Sequence, residues 1–143
     1  MINNYDDISF VDKKLKLVGT SYNYGISYEQ NSVLERSVIF EETTSFKQYK
    51  FDLGSTNKGS YDVLTSDNKN KDFVWYDKSL DISSLEKGRY AIIVYTKTKD
   101  VADYGEVSDV FGMINDASAV INNKKYSIIL NKERNNRIEL IVE

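Results

Sequence analysis

The sequence predicts an all-β chain: an antiparallel β-sandwich of Greek-key or jelly-roll type with about eight or nine strands. Three observations carry this prediction. Apolar residues recur at every second position in short runs, the spacing of a strand with one buried face. Polar segments rich in Asn, Asp, Gly, Ser and Lys separate those runs. Tyrosine is abundant, at 11 of 143 residues, and aromatic and β-branched residues suit a half-buried pleated surface. Repeated amphipathic helices, which a parallel α/β fold would need between strands, are absent from the pattern.

The elements follow in chain order. In "DISFVDKKLKLVG", Ile8 and Phe10 share a face, Asp12–Lys14 turns the chain, and Leu15 and Leu17 alternate with Lys14 and Lys16. Further strand runs are read at 34–42, 47–54, 61–65, 73–77, 89–97, 125–131 and 137–143. In the fourth of these, "FVWYD", the sole tryptophan, Trp75, sits beside Tyr76. The segments "GSTNKGS" and "SDNKNKD" read as polar loops, and "NKERNN" (131–136) as the loop closing a C-terminal hairpin. Residues 99–125 show no clean period and are read as an excursion with room for a short helix. One domain, 1–143, is expected, cut from a longer multidomain protein.

The stretch "LDISSLEKGRYAIIVY" (80–95) is the most structured signal. Leu80 and Ile82 have same-face spacing, "SSLEKG" turns the chain, and Gly88 can take φ > 0. Tyr90, Ile92 and Val94 then line one face of a strand, with Ala91, Ile93 and Tyr95 on the other. Both faces are apolar enough for a central strand. The spacing matches a tyrosine corner, in which a phenol bonds backbone a few residues upstream and pins an inter-sheet connection. A helix over 83–87, capped by Ser83 or Ser84 and stopped by Gly88, is the alternative; a single helical turn within the corner satisfies both.

Composition narrows the function classes. The chain has no Cys and no His, so it lacks a thiol nucleophile, an imidazole base and the usual zinc ligands. A net charge of −3 with both signs interspersed makes no basic stripe for nucleic acid. No apolar run is long enough to span a membrane, and "MINNYDDISF" has no signal-peptide core. The carboxylate pairs open to a glycosidase are Glu41 with Glu42, and Asp103 with Glu106. Glu41 and Glu42 are adjacent on a strand and point to opposite faces. A non-catalytic chain is expected.

The strings "LKLVGTSYNYGIS", "RSVIFEETTSFKQYKFDL", "SYDV", "LDISSLEKGRYAIIVYTK" and "DYGEVSDVF" fall within residues 8–111. Their arrangement resembles β-sandwich accessory modules of Gram-positive surface and cell-wall proteins. It is similar to non-catalytic domains attached to teichoic-acid-type glycerophosphate and glycosyl transferases. The resemblance implies a module working beside an enzyme or anchor on glycopolymers, and it brings no catalytic residue with it.

Two sets of side chains are candidate sites. Tyr22, Asn23, Tyr24 and Tyr28 in "SYNYGISY", with Trp75 and Tyr76, offer flat rings beside an amide, the chemistry that recognises sugar C–H faces and hydroxyls. Tyr22 and Tyr24 would share a strand face, whereas the same rings could equally pack a core. Asp100, Asp103, Glu106 and Asp109 in "DVADYGEVSD" are a candidate calcium set, Gly105 allowing a tight turn; no other cofactor is expected. "SDNKNKD" also holds oxygen ligands, but Lys69 and Lys71 would oppose a cation. The expected function is therefore carbohydrate or glycopolymer binding through exposed aromatics. The partners would be a cell-wall or surface glycan and neighbouring domains, with no nucleic acid and no membrane insertion. The expected place is the cell surface, or alternatively the cytoplasmic face beside a membrane-associated transferase. The competing reading is a spacer, protein-interaction or oligomerisation domain without sugar binding.

Overall fold

The computed structural model describes residues 1–55, 58–59, 62–107 and 117–143. Among these the chain is all-β, with ten strands in two antiparallel sheets that pack in sandwich-like fashion. The strands are β1 (Ile2–Val11), β2 (Lys14–Tyr22), β3 (Val33–Glu42), β4 (Gln48–Asp52) and β5 (Trp75–Leu80), then β6 (Gly88–Thr98), β7 (Ala102–Glu106), β8 (Ala117–Ile121), β9 (Lys124–Asn131) and β10 (Arg137–Val142). The smaller sheet runs β1-β2-β5. The larger runs β4-β3-β6-β10-β9-β8, with β7 pairing the second half of β6.

Local chemistry sets the hairpins. Asp12 and Lys13, both at positive φ, close β1–β2, and Asn122 and Asn123 close β8–β9 in the same way. Two consecutive left-handed residues match the twist of the flanking strands, and Asn and Asp adopt that conformation at least cost. The loop between β9 and β10 is a 3₁₀ turn at Lys132–Arg134, which Asn131 caps by accepting from the Glu133 amide at 3.2 Å. Asn135 and Asn136, both left-handed, end it.

The inner face of the large sheet supplies Val38, Phe40, Tyr90, Ile92, Ile128 and Leu140 to the main core, where they meet Ile8, Leu15 and Leu17 of the small sheet. A second cluster, Tyr22, Tyr28, Val33, Val74 and Trp75, packs at the other end of the sandwich. Polar residues also lie between the sheets: Ser21 Oγ sits 3.2 Å from Thr96 Oγ1, and Arg36 is fully buried. The Arg36 guanidinium donates to the Trp75 carbonyl at 2.9 Å and the Phe73 carbonyl at 3.2 Å, tying β3 to the entry of β5. Burial lowers its pKa to about 10, against the neighbouring Tyr28 and Tyr76 phenols, which raise it. It remains a cation at neutral pH.

The corner forms as the sequence predicts. Tyr90 Oη donates to the Glu86 carbonyl at 2.6 Å, and Ile82 and Leu85 beneath it are fully buried. β6 is central, paired with β3 on one side and with β10 and β7 on the other.

Several expectations are corrected. Residues 83–87 form no helix; a β-turn closes with Leu85 N donating to Ile82 O at 3.1 Å. Gly88 is not at positive φ; a Cβ there would lie 2.9 Å from Glu42 Cγ, so close packing explains the glycine. The run at 61–65 makes no strand over its described residues 62–65, where Val63 packs against the second cluster instead. The described parts of 99–125 form β7, β8 and the start of β9, whose backbone groups neighbouring strands satisfy; the short helix expected in this excursion is not among them, and residues 108–116 lie outside the described residues. No described helix is long and apolar enough to cross a membrane.

Candidate functional site

The sequence-predicted aromatics do not form an exposed platform. Tyr22, Tyr28, Trp75 and Tyr76 are 7%, 0%, 4% and 2% exposed: Tyr76 joins the main core, whereas Tyr22, Tyr28 and Trp75 pack into the second cluster with Val33 and Val74. The Trp75 ring is capped by the backbone of Gly59, where a Cβ would overlap the indole. Burial pushes the Tyr28 and Tyr76 phenols up, Tyr76 well above the ordinary range. The Tyr28 hydroxyl accepts from Asn23 N at 2.8 Å, which makes Asn23 part of the turn. Tyr24, 64% exposed, is the only one of the six in water. β2 ends at Tyr22, so Tyr22 and Tyr24 share no strand face.

The acidic candidates also disperse. Asp103 and Glu106 stand three apart on β7 and so point to opposite faces. Asp103 lies 3.6 Å from the Met1 ammonium between the sheets, whereas Glu106 pairs with Arg137 at 3.2 Å on the outer face. Asp100 occupies the β6–β7 turn, and Gly105 sits within the strand, its missing Cβ leaving room for Asn3. Asp109 lies outside the described residues. Among the described residues no group of three acidic side chains is placed to hold a cation. In the other acidic loop Lys71 takes the cation's place: its ammonium meets Asp67 at 3.0 Å and the Ile26 carbonyl at 2.6 Å, both side chains being nearly fully buried.

The outer face of the large sheet presents a more convergent arrangement. Alternation on β3, β4, β6 and β7 places Ser37, Ile39, Tyr95 and Ile93 along a floor, with Gln48, Lys50 and Asp52 on one side and Tyr104 and Glu106 on the other. Tyr95 and Tyr104 are directly opposed, their ring centroids 5.0 Å apart at 40°. Lys50 Nζ lies 5.3 Å from the Tyr95 ring centre and pairs with Glu35 at 2.6 Å. That hydrogen bond raises the Lys50 pKa and lowers that of Glu35, so both are charged at neutral pH. Together with Ile39 and Gln48 these groups line a cleft of about 330 Å³.

A second cleft of about 300 Å³ opens further along the same strands, over Ala91. Beside it Glu139, fully buried, accepts from Arg89 Nε at 2.5 Å, from Arg137 Nε at 2.8 Å and from Asn131 Nδ2 at 3.1 Å. Burial alone would raise the Glu139 pKa. The Arg137, Asn131 and Arg89 hydrogen bonds outweigh it and hold the carboxyl below its usual range. A partly exposed ring pair with a carboxylate, an amide and an ammonium at its edge can stack on one ligand face and hydrogen-bond the rim.

Sequence reasoning placed Tyr95 on the face of a central strand opposite Tyr90 and missed Tyr104, whose strand lay in a segment without a clear period. The available signal was the alternation in "ADYGE": exposed at 102, 104 and 106, half-buried at 103 and 105. No protein-family model matches the chain, and no curated protein matches it at a significant level.

Proposed function

We propose that this chain is a non-catalytic carbohydrate-binding module that holds an extended glycan on the outer face of its larger sheet. The Tyr95–Tyr104 pair, with Glu35, Gln48 and Lys50 at its rim, is the observation that carries the reading. Tyr104 is 62% exposed although large rings tend towards burial, and its neighbours supply both donors and acceptors for sugar hydroxyls. The aromatics expected at "SYNYGISY" are replaced in this role by rings on β6 and β7. The resemblance to Gram-positive accessory modules supports the same ligand class and a place at the cell surface or beside a membrane-associated transferase. The Tyr90 corner suits the Greek-key connections of such modules.

The test is isothermal titration with a panel of neutral and charged glycan oligomers. Tyr104→Ala is expected to weaken binding about fivefold to tenfold, since aromatic stacking of this kind is worth ~1–1.4 kcal/mol, and Tyr24→Ala to leave it unchanged. Equal affinities for both variants and the parent would overturn the reading. A protein-interaction role is favoured by a different observation: Val120 is 69% exposed on β8, which among the described residues pairs with β9 and no other strand. A defined oligomer by light scattering, with no glycan bound, would select it.

A further inference from the structure

The β3–β4 turn contains a phenylalanine in an unusual state. Phe46 has φ +61° and is 69% exposed. Its amide donates to the Glu42 carbonyl at 2.9 Å, closing the turn at the left-handed position that glycine fills without strain. A bulky side chain there strains the backbone, and leaving its ring in water forgoes compensating burial. The fold gains from neither, and strain of this kind gathers where a ligand is held.

Phe46 lines the cleft over Ala91, together with Glu41 and Arg134. These two flank Ala91 from opposite sides: Glu41 is its partner on β3, and Arg134 precedes β10, which pairs the other edge of β6. They form no ion pair with each other, and among the described residues neither side chain has a hydrogen-bond or ionic partner. Arg137, in the same wall, is engaged by Glu106 and Glu139, so its charge is already answered. The cleft thus offers an unanswered carboxylate and an unanswered guanidinium on facing walls above a small apolar floor, with an aromatic lip. Four residues of β6 separate Ala91 from Tyr95, about 14 Å at ~3.4 Å per residue. A chain of a few sugar units stacked at Tyr95 and Tyr104 therefore reaches it.

We propose that this cleft is a second subsite of the glycan groove. It stacks a sugar unit on Phe46 and selects one carrying an ammonium, read by Glu41, with an acidic group on the same or adjoining unit, read by Arg134. The inference rests on the glycan-binding reading and adds the charge class of the ligand.

Four hexasaccharide probes test it by calorimetry: alternating glucosamine–glucuronate with free amines, the same chain N-acetylated, a glucosamine hexamer, and neutral cellohexaose. The zwitterionic chain is expected to bind about tenfold more tightly than the N-acetylated chain or the glucosamine hexamer, the scale of one charge-assisted hydrogen bond. Glu41→Gln should erase the first preference and Arg134→Gln the second. Phe46→Gly should weaken zwitterion binding about tenfold while raising the melting midpoint by roughly 3 °C, because it removes strain. A lowered midpoint with unchanged affinity would overturn the assignment of Phe46. If the Tyr104→Ala variant loses binding but all four probes bind the parent equally, the glycan reading stands and the subsite falls. If no probe binds, both fall.

Discussion

Tyr90 Oη and the Glu86 carbonyl, four residues apart in the chain, are joined by a 2.6 Å hydrogen bond that spans the turn entering β6. The bond ties the central strand to the segment that leaves the smaller sheet, with Ile82 and Leu85 buried beneath it. Burial, followed by the neighbouring Tyr49 phenol, pushes the Tyr90 pKa up to about 12, so the donor proton is retained throughout the neutral range. Tyr90→Phe keeps the ring and removes this bond. It is expected to cost about 1 kcal/mol in urea denaturation and to leave glycan affinity unchanged. A loss of binding without a loss of stability would contradict the structural role.

Among the described residues Arg36 meets no carboxylate and instead satisfies two carbonyls at the mouth of β5. Arg36→Ala leaves the Trp75 and Phe73 carbonyls without their donor and opens a cavity between the sheets. The expected cost is about 3 kcal/mol, measured by chemical denaturation. Stability within ~0.5 kcal/mol of the parent would show that the guanidinium contributes little net stabilisation.

Trp75 reports on the same region. At 4% exposure it should emit at short wavelength, resist iodide quenching and stay unresponsive while glycan binds the outer face of the other sheet. Efficient quenching in the native state would contradict its enclosure by the Gly59 backbone.

Acid should unfold the protein through two carboxylates. Asp67 is held well below the usual range by the Thr65 hydroxyl, then by the Gly25 and Lys69 amides and Lys71. Glu139 is held low by its hydrogen bonds from Arg137, Asn131 and Arg89, against burial. A carboxyl with a depressed folded pKa stabilises above its unfolded value, about 3.9 for Asp and 4.3 for Glu, and that contribution fades as pH falls through the folded value. Urea midpoints are therefore expected to hold from pH 7 to about 5 and to fall below ~4. Asp67→Asn should flatten the acid limb. An unchanged slope would show that Asp67 does not contribute to it.

Gly19 marks the tightest approach within the smaller sheet. A Cβ there would overlap the Asn4 carbonyl and lie 2.6 Å from Tyr76 Oη. Because the first neighbour is backbone, it has little freedom to move aside. Gly19→Ala should cost 2 kcal/mol or more by denaturation, about the penalty of overpacking a core. A neutral effect would mean that β1 can shift away from β2.

The strands and the corner were legible because they depend on local pattern. Alternation in "KLKL", "YKFDL" and "RIELIV" recovered β2, β4 and β10, and the Leu85–Gly88–Tyr90 spacing recovered the turn into β6. The Asn122–Asn123 hairpin carried a usable signal in two adjacent residues tolerant of the left-handed conformation. The candidate site was much less legible. "SYNYGISY" looked like a platform because three tyrosines stand close in sequence, yet Tyr22 and Tyr28 are folded inward around Lys71, whose ammonium lies 5.7 Å from each ring centre.

By itself, the sequence determined the all-β class, the central place of β6 and the tyrosine corner, since period-two burial and turn chemistry act over a few residues. Only the tertiary structure decided which rings meet water. Whether a tyrosine faces core or solvent depends on which sheet covers its strand. Tyr95 and Tyr104 become a pair, and Glu41 faces Arg134 across Ala91, because β6 has β3 on one edge and β7 and β10 on the other. Those juxtapositions follow from strand order and register, which no local stretch of chain specifies.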